Sequence, residues 1–252
     1  MPAKRTTADN RKVDVAIICT LDLESDPIVK QLRNRRKTLG NRFQIVEGDA
    51  AGKRLAVVRV EPSPKRLADA MDALLFVHRP RWVIAAGFAI GIDPALNTGR
   101  IVIADELADD SGRILKINLR AAPEQRSTAD VVFGRLVSMR NPPRTKSRKN
   151  DLRQRAGAVA ADRVSFTVAE LCRRAVARLL AVRVLIDDAS TDAAAASRAV
   201  LHPSASFRAG GWVGAFMSGS GKTSRLMKGR EAAKRHAARL AALLMTVVAT
   251  LE

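Results

Sequence analysis

The stretch Val13-Asp-Val-Ala-Ile-Ile-Cys19 is almost entirely apolar and rich in β-branched side chains. A short run of this kind, without polar alternation, belongs in a strand covered on both faces. Such a strand needs helices on either side of its sheet, and the following residues supply them. Thr20-Leu-Asp22 leads into a helical pattern over Leu23–Leu32, with Ile28, Val29 and Leu32 on one face. Further strands are expected at Phe43–Val46, Leu55–Val60, Trp82–Ala86, Ile101–Ala104 and Ala181–Ile186. Helices are expected at Lys65–Val77, Val164–Leu180 and Ser224–Leu251. Strands alternating with helices predict an α/β domain built on a parallel or mixed sheet.

With 252 residues, 47% of them hydrophobic, the chain can bury a substantial core, which excludes wholesale disorder. The length fits one sizeable domain or at most two; the pattern reads as a basic tail over 1–12 and a single domain over 13–252. The formal net charge is +19, from 44 Lys+Arg against 25 Asp+Glu. The excess is mostly guanidinium, from 32 Arg against 12 Lys, a group suited to bidentate contact with carboxylate or phosphate. Cys19 and Cys172 lie far apart in apolar stretches and read as fillers, and His78, His202 and His236 lack ligand spacing. No metal or cofactor is expected. The polar start Met1–Lys12 and the short apolar stretch Leu240–Leu251 predict a cytoplasmic protein that neither enters nor spans a membrane.

Two segments interrupt the alternation. Met139–Arg155 holds Pro142, Pro143 and seven basic residues against one acid, Asp151, and reads as a surface loop running into a short helix. Ser204–Thr223 contains five glycines and no regular period. Its end, Ser218-Gly-Ser-Gly-Lys-Thr223, imitates the tail of a phosphate-binding loop, but position 216 is Phe216 and no buried strand precedes it. A connector into the last helix is the better reading.

Five blocks, in order, resemble the nucleoside phosphorylase superfamily, and within it the nucleosidases that hydrolyse methylthioadenosine and S-adenosylhomocysteine. Val13–Glu24 is similar to the first strand and its Ala-x-x-x-Glu turn. Pro80-Arg-Trp-Val-Ile-Ala-Ala-Gly-Phe-Ala-Ile-Gly-Ile92 is similar to the strand with a glycine-rich turn. Asn97–Asp105 follows the Gly-Asp-Val-Val-Val-x-Asp strand. Gly157-Ala-Val-Ala-Ala-Asp-Arg-Val-Ser165 stands where the family has Gly-Ala-x-x-Val-Asp-Met-Glu-Ser, and Val182–Ala189 where it has Val-Arg-x-Ile-Ser-Asp-x-Ala.

The resemblance implies a three-layer αβα fold with a mixed central sheet, a purine nucleoside ligand, and self-association into homo-oligomers. Cleaving an N-glycosidic bond to a purine requires an acid for the departing base and an activated water or phosphate for the sugar. By register the acid is Asp187 and the nucleophile-orienting carboxylate is Glu24. Gly87, Phe88, Ala89, Asp162, Arg163 and Val164 fall on ligand-facing positions. Each carboxylate also has a structural alternative, since Asp and Glu commonly cap free backbone N–H groups.

Several of these positions depart from the family. Arg163 and Val164 replace its Met-Glu pair, and valine cannot accept a bond from a ribose hydroxyl. Ile90 replaces a glycine, Ile186 replaces the Ser before the Asp, and no aromatic for the base is evident in Val137–Asn141. Glu61-Pro-Ser-Pro-Lys65 withdraws two backbone donors where an anion-binding turn is common. Hydrolysis is therefore expected over phosphorolysis. Two alternatives stand beside it: an inactive member of the fold serving binding or assembly, and a binder of nucleic acid or another polyanion through the basic clusters at Arg33–Lys37, Arg140–Arg155 and Lys222–Arg239.

Overall fold

The structure, a computed structural model, describes residues 12–118, 128, 130–192 and 220–252, with side chains in the last stretch from Lys228 onward. Residues 1–11 of the basic tail, His202 and residues 204–219 of the glycine-rich segment lie outside the described residues.

The opening run forms β1 (Val15–Cys19), parallel to both its neighbours, β4 (Lys53–Val60) and β5 (Trp82–Gly91). Its side chains alternate between two apolar cores. Val15, Ile17 and Cys19 pack toward α1 (Asp22–Val29) and α5 (Ser220–Thr250). Ala16 and Ile18 pack toward α2 (Pro64–His78) and α4 (Ser165–Arg174). With both faces covered, no position in the strand tolerates a polar residue, which accounts for the unbroken apolar run.

The sheet is mixed and, among the described residues, has ten strands. At one end β3 (Phe43–Ala50) and β2 (Arg33–Leu39) add antiparallel to β4. At the other, β10 (Arg178–Asp187) pairs with β5 and with β6 (Ile101–Asp109). The ladders from β6 to β8 (Val131–Ser138), from β8 to β9 (Ala160–Asp162) and from β9 back to β5 close this half into a ring. The short β7 (Ile114–Lys116) flanks β6. The α/β architecture with a mixed sheet and helices on both faces is as expected.

The differences have local causes. Arg33-Asn-Arg-Arg-Lys-Thr-Leu39 carries no apolar period, because β2 is an edge strand exposed along its whole length. Its charges guard the open edge against further strands. The helix expected over Val164–Leu180 stops at Arg174, where Val176 takes a positive φ of 56° and the chain turns into β10. Leu179 and Leu180, which continued the helical period, face their cores from a strand. The polar segment before Gly157 does contain a helix, α3 (Lys146–Ala156), with Thr145 Oγ1 accepting from Arg148 N at its start. One of its basic side chains is not solvated, however, since Lys149 is fully buried. Among the described residues, no helix is long and apolar enough to cross a membrane.

Helix α5 lays Ala237, Leu240, Ala241, Leu244 and Val248, all at 0% exposure, against the sheet. Leu244→Ala should therefore cost about 2–5 kcal/mol through lost transfer energy and a residual cavity. Leu39→Ala, at a site 71% exposed, should stay within about 0.5 kcal/mol. Urea denaturation of the two variants beside the parent chain checks the contrast.

Candidate active site

Glu24 enters the centre of the molecule from the first turn of α1. Its Oε2 accepts from Thr20 N at 2.8 Å, Leu21 N at 2.9 Å and Thr20 Oγ1 at 3.1 Å, so it does cap its own helix. Its Oε1 reaches across to accept from Phe88 N on β5 at 2.8 Å. The side chain thus ties α1 to the central strand, and it is 2% exposed. Burial raises its proton affinity, against which the Arg183 charge and the bonds from Phe88, Thr20 and Leu21 work in the other direction.

Arg183 sits beside Gly87 in the β10–β5 ladder and is 1% exposed. Gly87 has a φ of 152°, and a Cβ there would lie 2.7 Å from Arg183 Nη1 and would collide with the Glu24 carboxylate. Only glycine lets the carboxylate and guanidinium approach the strand here. On its far side Arg183 Nη2 pairs with Asp162 Oδ2 at 2.8 Å, and Nε and Nη2 donate to Ser165 Oγ at 3.1 and 2.9 Å. Asp162 also accepts from Ser138 Oγ, from Ser165 N at 3.1 Å and from Ser165 Oγ at 2.6 Å. A buried chain of charge, Glu24 to Arg183 to Asp162, runs through the sheet. Cys19, nearby, is no nucleophile: burial and then the Glu24 charge push its thiol well up.

Glu24 and Arg183 face a cavity of about 20 Å³, walled also by Thr20, Leu21, Pro62, Phe88, Arg163 and Val164. That volume admits one water molecule. It lies where β1, β4 and β5 end, the usual place for a ligand in a parallel α/β sheet. Pro62 comes from the Glu61–Lys65 turn, whose Pro64 opens α2. Arg163 is half-buried in the wall; burial, and then the like charge of Arg140, disfavour its ionised form.

Of the residues singled out by sequence, Glu24, Phe88, Arg163 and Val164 therefore meet at one cavity, with Gly87 directly behind them. Asp162 acts from behind Arg183, and Ala89 is packed in the core. Asp187 does not line this cavity. Its Oδ2 accepts from Lys149 Nζ at 3.0 Å, and its Oδ1 accepts from Asp188 N and Thr191 Oγ1, both at 3.0 Å. Lys149 spends its other donors on the carbonyls of Asp188 and Thr191, at 2.5 and 2.8 Å. All three of these contacts are donors aimed at Asp187.

Two partners were not picked out by sequence. Arg183 lay in plain view inside the Val182–Ala189 block, as an isolated charge in an apolar strand, which signals a buried pair. Lys149 gave no such signal, being one of seven basic residues in a polar segment. Among the described residues, no group of three or more His, Cys, Asp or Glu is placed to hold a metal ion.

The sequence pattern of the family described as Phosphorylase superfamily matches residues 14–123, which include β1, α1, the Glu61–Lys65 turn and the Gly87 strand. No curated protein sequence matches the chain. Among solved structures, the 5'-methylthioadenosine/S-adenosylhomocysteine nucleosidase of Neisseria meningitidis, in complex with methylthio-immucillin-A, is 17% identical. It superposes with a TM-score of 0.70, covering 94% of this chain and 99% of its own. The corresponding nucleosidase of Campylobacter jejuni gives 13% identity and a TM-score of 0.71, over 95% of this chain and 100% of its own. The futalosine hydrolase of Helicobacter pylori gives 14% and 0.71, over 97% and 100%. Sequence over residues 14–123 and fold over nearly the whole chain converge, and the chain carries the phosphorylase-superfamily fold.

Proposed function

We propose that this chain hydrolyses the N-glycosidic bond of a purine nucleoside, with Glu24 orienting the attacking water and Asp187 serving the departing base. The observation that carries this reading is the cavity of about 20 Å³ against Glu24 and Arg183. It suits a water held by a buried carboxylate and is too small for phosphate, and the prolines at 62 and 64 remove backbone donors that a phosphate would need. The solved nucleosidases of the same fold, one of them in complex with an immucillin, make purine nucleosides the substrates to try first.

In this reading Phe88, Arg163 and Val164 contact the ligand, while Gly87, Ala89 and Asp162 shape the site behind them. A nucleoside needs several hundred Å³, so binding moves part of the wall, in which Arg163 is the longest side chain besides the buried Arg183. Val164 offers no acceptor to the ribose, which predicts a weak grip on the sugar. Asp187 must release Lys149 before it can carry a proton to the base, so the leaving-group half of the reaction is the slow half.

The Lys149–Asp187 pair also favours a second reading, an inactive member of the fold that binds a purine ligand without cleaving it. Release of free base from methylthioadenosine, adenosine and inosine, with and without phosphate, separates the two. The hydrolytic reading expects release that does not depend on phosphate and climbs with pH as Glu24 ionises, above the 4.5 of an ordinary glutamate. Glu24→Gln should lower the rate about 100-fold or more and flatten that limb. Absence of release above a Glu24→Gln, Asp187→Asn control sinks it.

Lys149→Met provides a second check. Removing one partner of a buried pair should cost about 3–5 kcal/mol of stability, measurable by denaturation. In the hydrolytic reading the same variant speeds base release, because Asp187 is then able to take up a proton; in the inactive reading both proteins remain silent.

A further inference from the structure

Strands β8 and β9 run parallel and leave the sheet together. Their last register pair is Ser138 with Asp162, and Met139 N donates to the Asp162 carbonyl at 3.0 Å. The residues that follow are brought side by side: Arg163 comes directly after β9, and Arg140 stands one residue past Met139. Arg163 is half-buried in the wall of the Glu24–Arg183 cavity, and Arg140 is exposed. The two are close enough for the Arg140 charge to act on Arg163.

Two other buried cations hold the fold together, Lys149 against Asp187 at 3.0 Å and Arg183 against Asp162 at 2.8 Å. Arg163 is placed differently, on the wall a ligand would meet and beside a second guanidinium. Burial and the like charge both work against its ionised form. A neutral ligand seated on this wall would strip more water from Arg163 and leave the repulsion in place. An anionic group between the two guanidiniums offsets both costs, and their planar forks match phosphate or carboxylate oxygens bidentately. The net charge of +19 draws such ligands toward the chain. Glu24 walls the same cavity and Asp187 does not. If Glu24 serves the sugar and Asp187 the base, the arginines stand on the sugar side. Resting on the purine-nucleoside reading above, we propose that the nucleoside bound here carries an anionic group on its sugar, a phosphate or a carboxylate, gripped by Arg163 and Arg140.

Isothermal titration calorimetry on the full chain tests this, with adenosine, adenosine 5'-monophosphate, adenosine 3'-monophosphate and inorganic phosphate as probes at one salt concentration. At least one monophosphate should bind about 10-fold or more tighter than adenosine, as for a charge-assisted contact. Inorganic phosphate should bind more weakly than that monophosphate. Arg163→Met and Arg140→Met should each erase most of the preference. Arg35→Gln, on the exposed edge strand β2, should leave it intact, which separates a local grip from the pull of net charge. Far-UV circular dichroism establishes that the variants are folded, and Arg140 is exposed enough for its variant to fold in any case. Adenosine binding as tightly as both monophosphates overturns the proposal, as does a preference that survives both arginine changes or falls equally in Arg35→Gln. Inorganic phosphate binding as tightly as the preferred monophosphate assigns the arginines to a free anion and also overturns it. The outcome is distinct from that of the hydrolytic reading. Arg163-dependent preference without release of base leaves this site standing and removes hydrolysis, whereas release from adenosine without any preference does the reverse.

Discussion

The carboxylate of Glu24 is buried between a helix start and the central strand, and its charge is balanced by Arg183, which is itself held by Asp162. Each ion removed from water costs several kcal/mol unless its partners are in place, so the segments supplying those partners must arrive together. Thr20 and Leu21 give backbone and hydroxyl donors, Phe88 gives a third N–H, and Gly87 leaves the space a side chain would fill. Ser138 and Ser165 saturate the Asp162 end. The chain of charge thus fixes α1, β5, β8, β9, α4 and β10 relative to one another, and the small cavity lies against its Glu24–Arg183 end.

A second buried pair governs the other carboxylate. Lys149 gathers Asp187 and the carbonyls of Asp188 and Thr191 around one ammonium, which anchors α3 to the end of β10. The two acids suggested by the family resemblance therefore live in opposite surroundings. Glu24 resists ionisation through burial. Asp187 is surrounded by donors and has no outward contact with the cavity. Asymmetry between two carboxylates is how such sites divide their roles, but here it runs against the acid. The large positive charge has little part in this. Much of it lies on exposed surfaces such as β2 and α3, and the buried Lys149 and Arg183 are each matched to a carboxylate.

Much of the architecture was legible because burial on both faces writes itself into the sequence as unbroken apolar runs, as at Val13–Cys19 and Trp82–Ala86. Elements that make no such demand were invisible. β2 is polar because it is an exposed edge, and β9 is only three residues long. The boundary at Arg174–Val176 was hidden because Leu179 and Leu180 fit either period. At the site, Glu24, Phe88, Arg163 and Val164 could be placed by register along β1, β5 and β9. The pairing of Lys149 with Asp187 could not, because it joins residues 38 apart through a side-chain contact that leaves no periodic trace. The capping reading of Glu24 accounts for one of its oxygens, which closes the start of α1, while the other reaches β5.

Glu24 is a buried carboxylate whose ionisation burial opposes and Arg183 favours. A ¹³C NMR titration of the glutamate carboxyls, assigned by difference from Glu24→Gln, measures it without reference to any substrate. Glu24 should titrate above the ordinary glutamate value of 4.5 and move further upward in Arg183→Met. Titration in the ordinary range, or a midpoint unmoved by the loss of Arg183, would contradict the account.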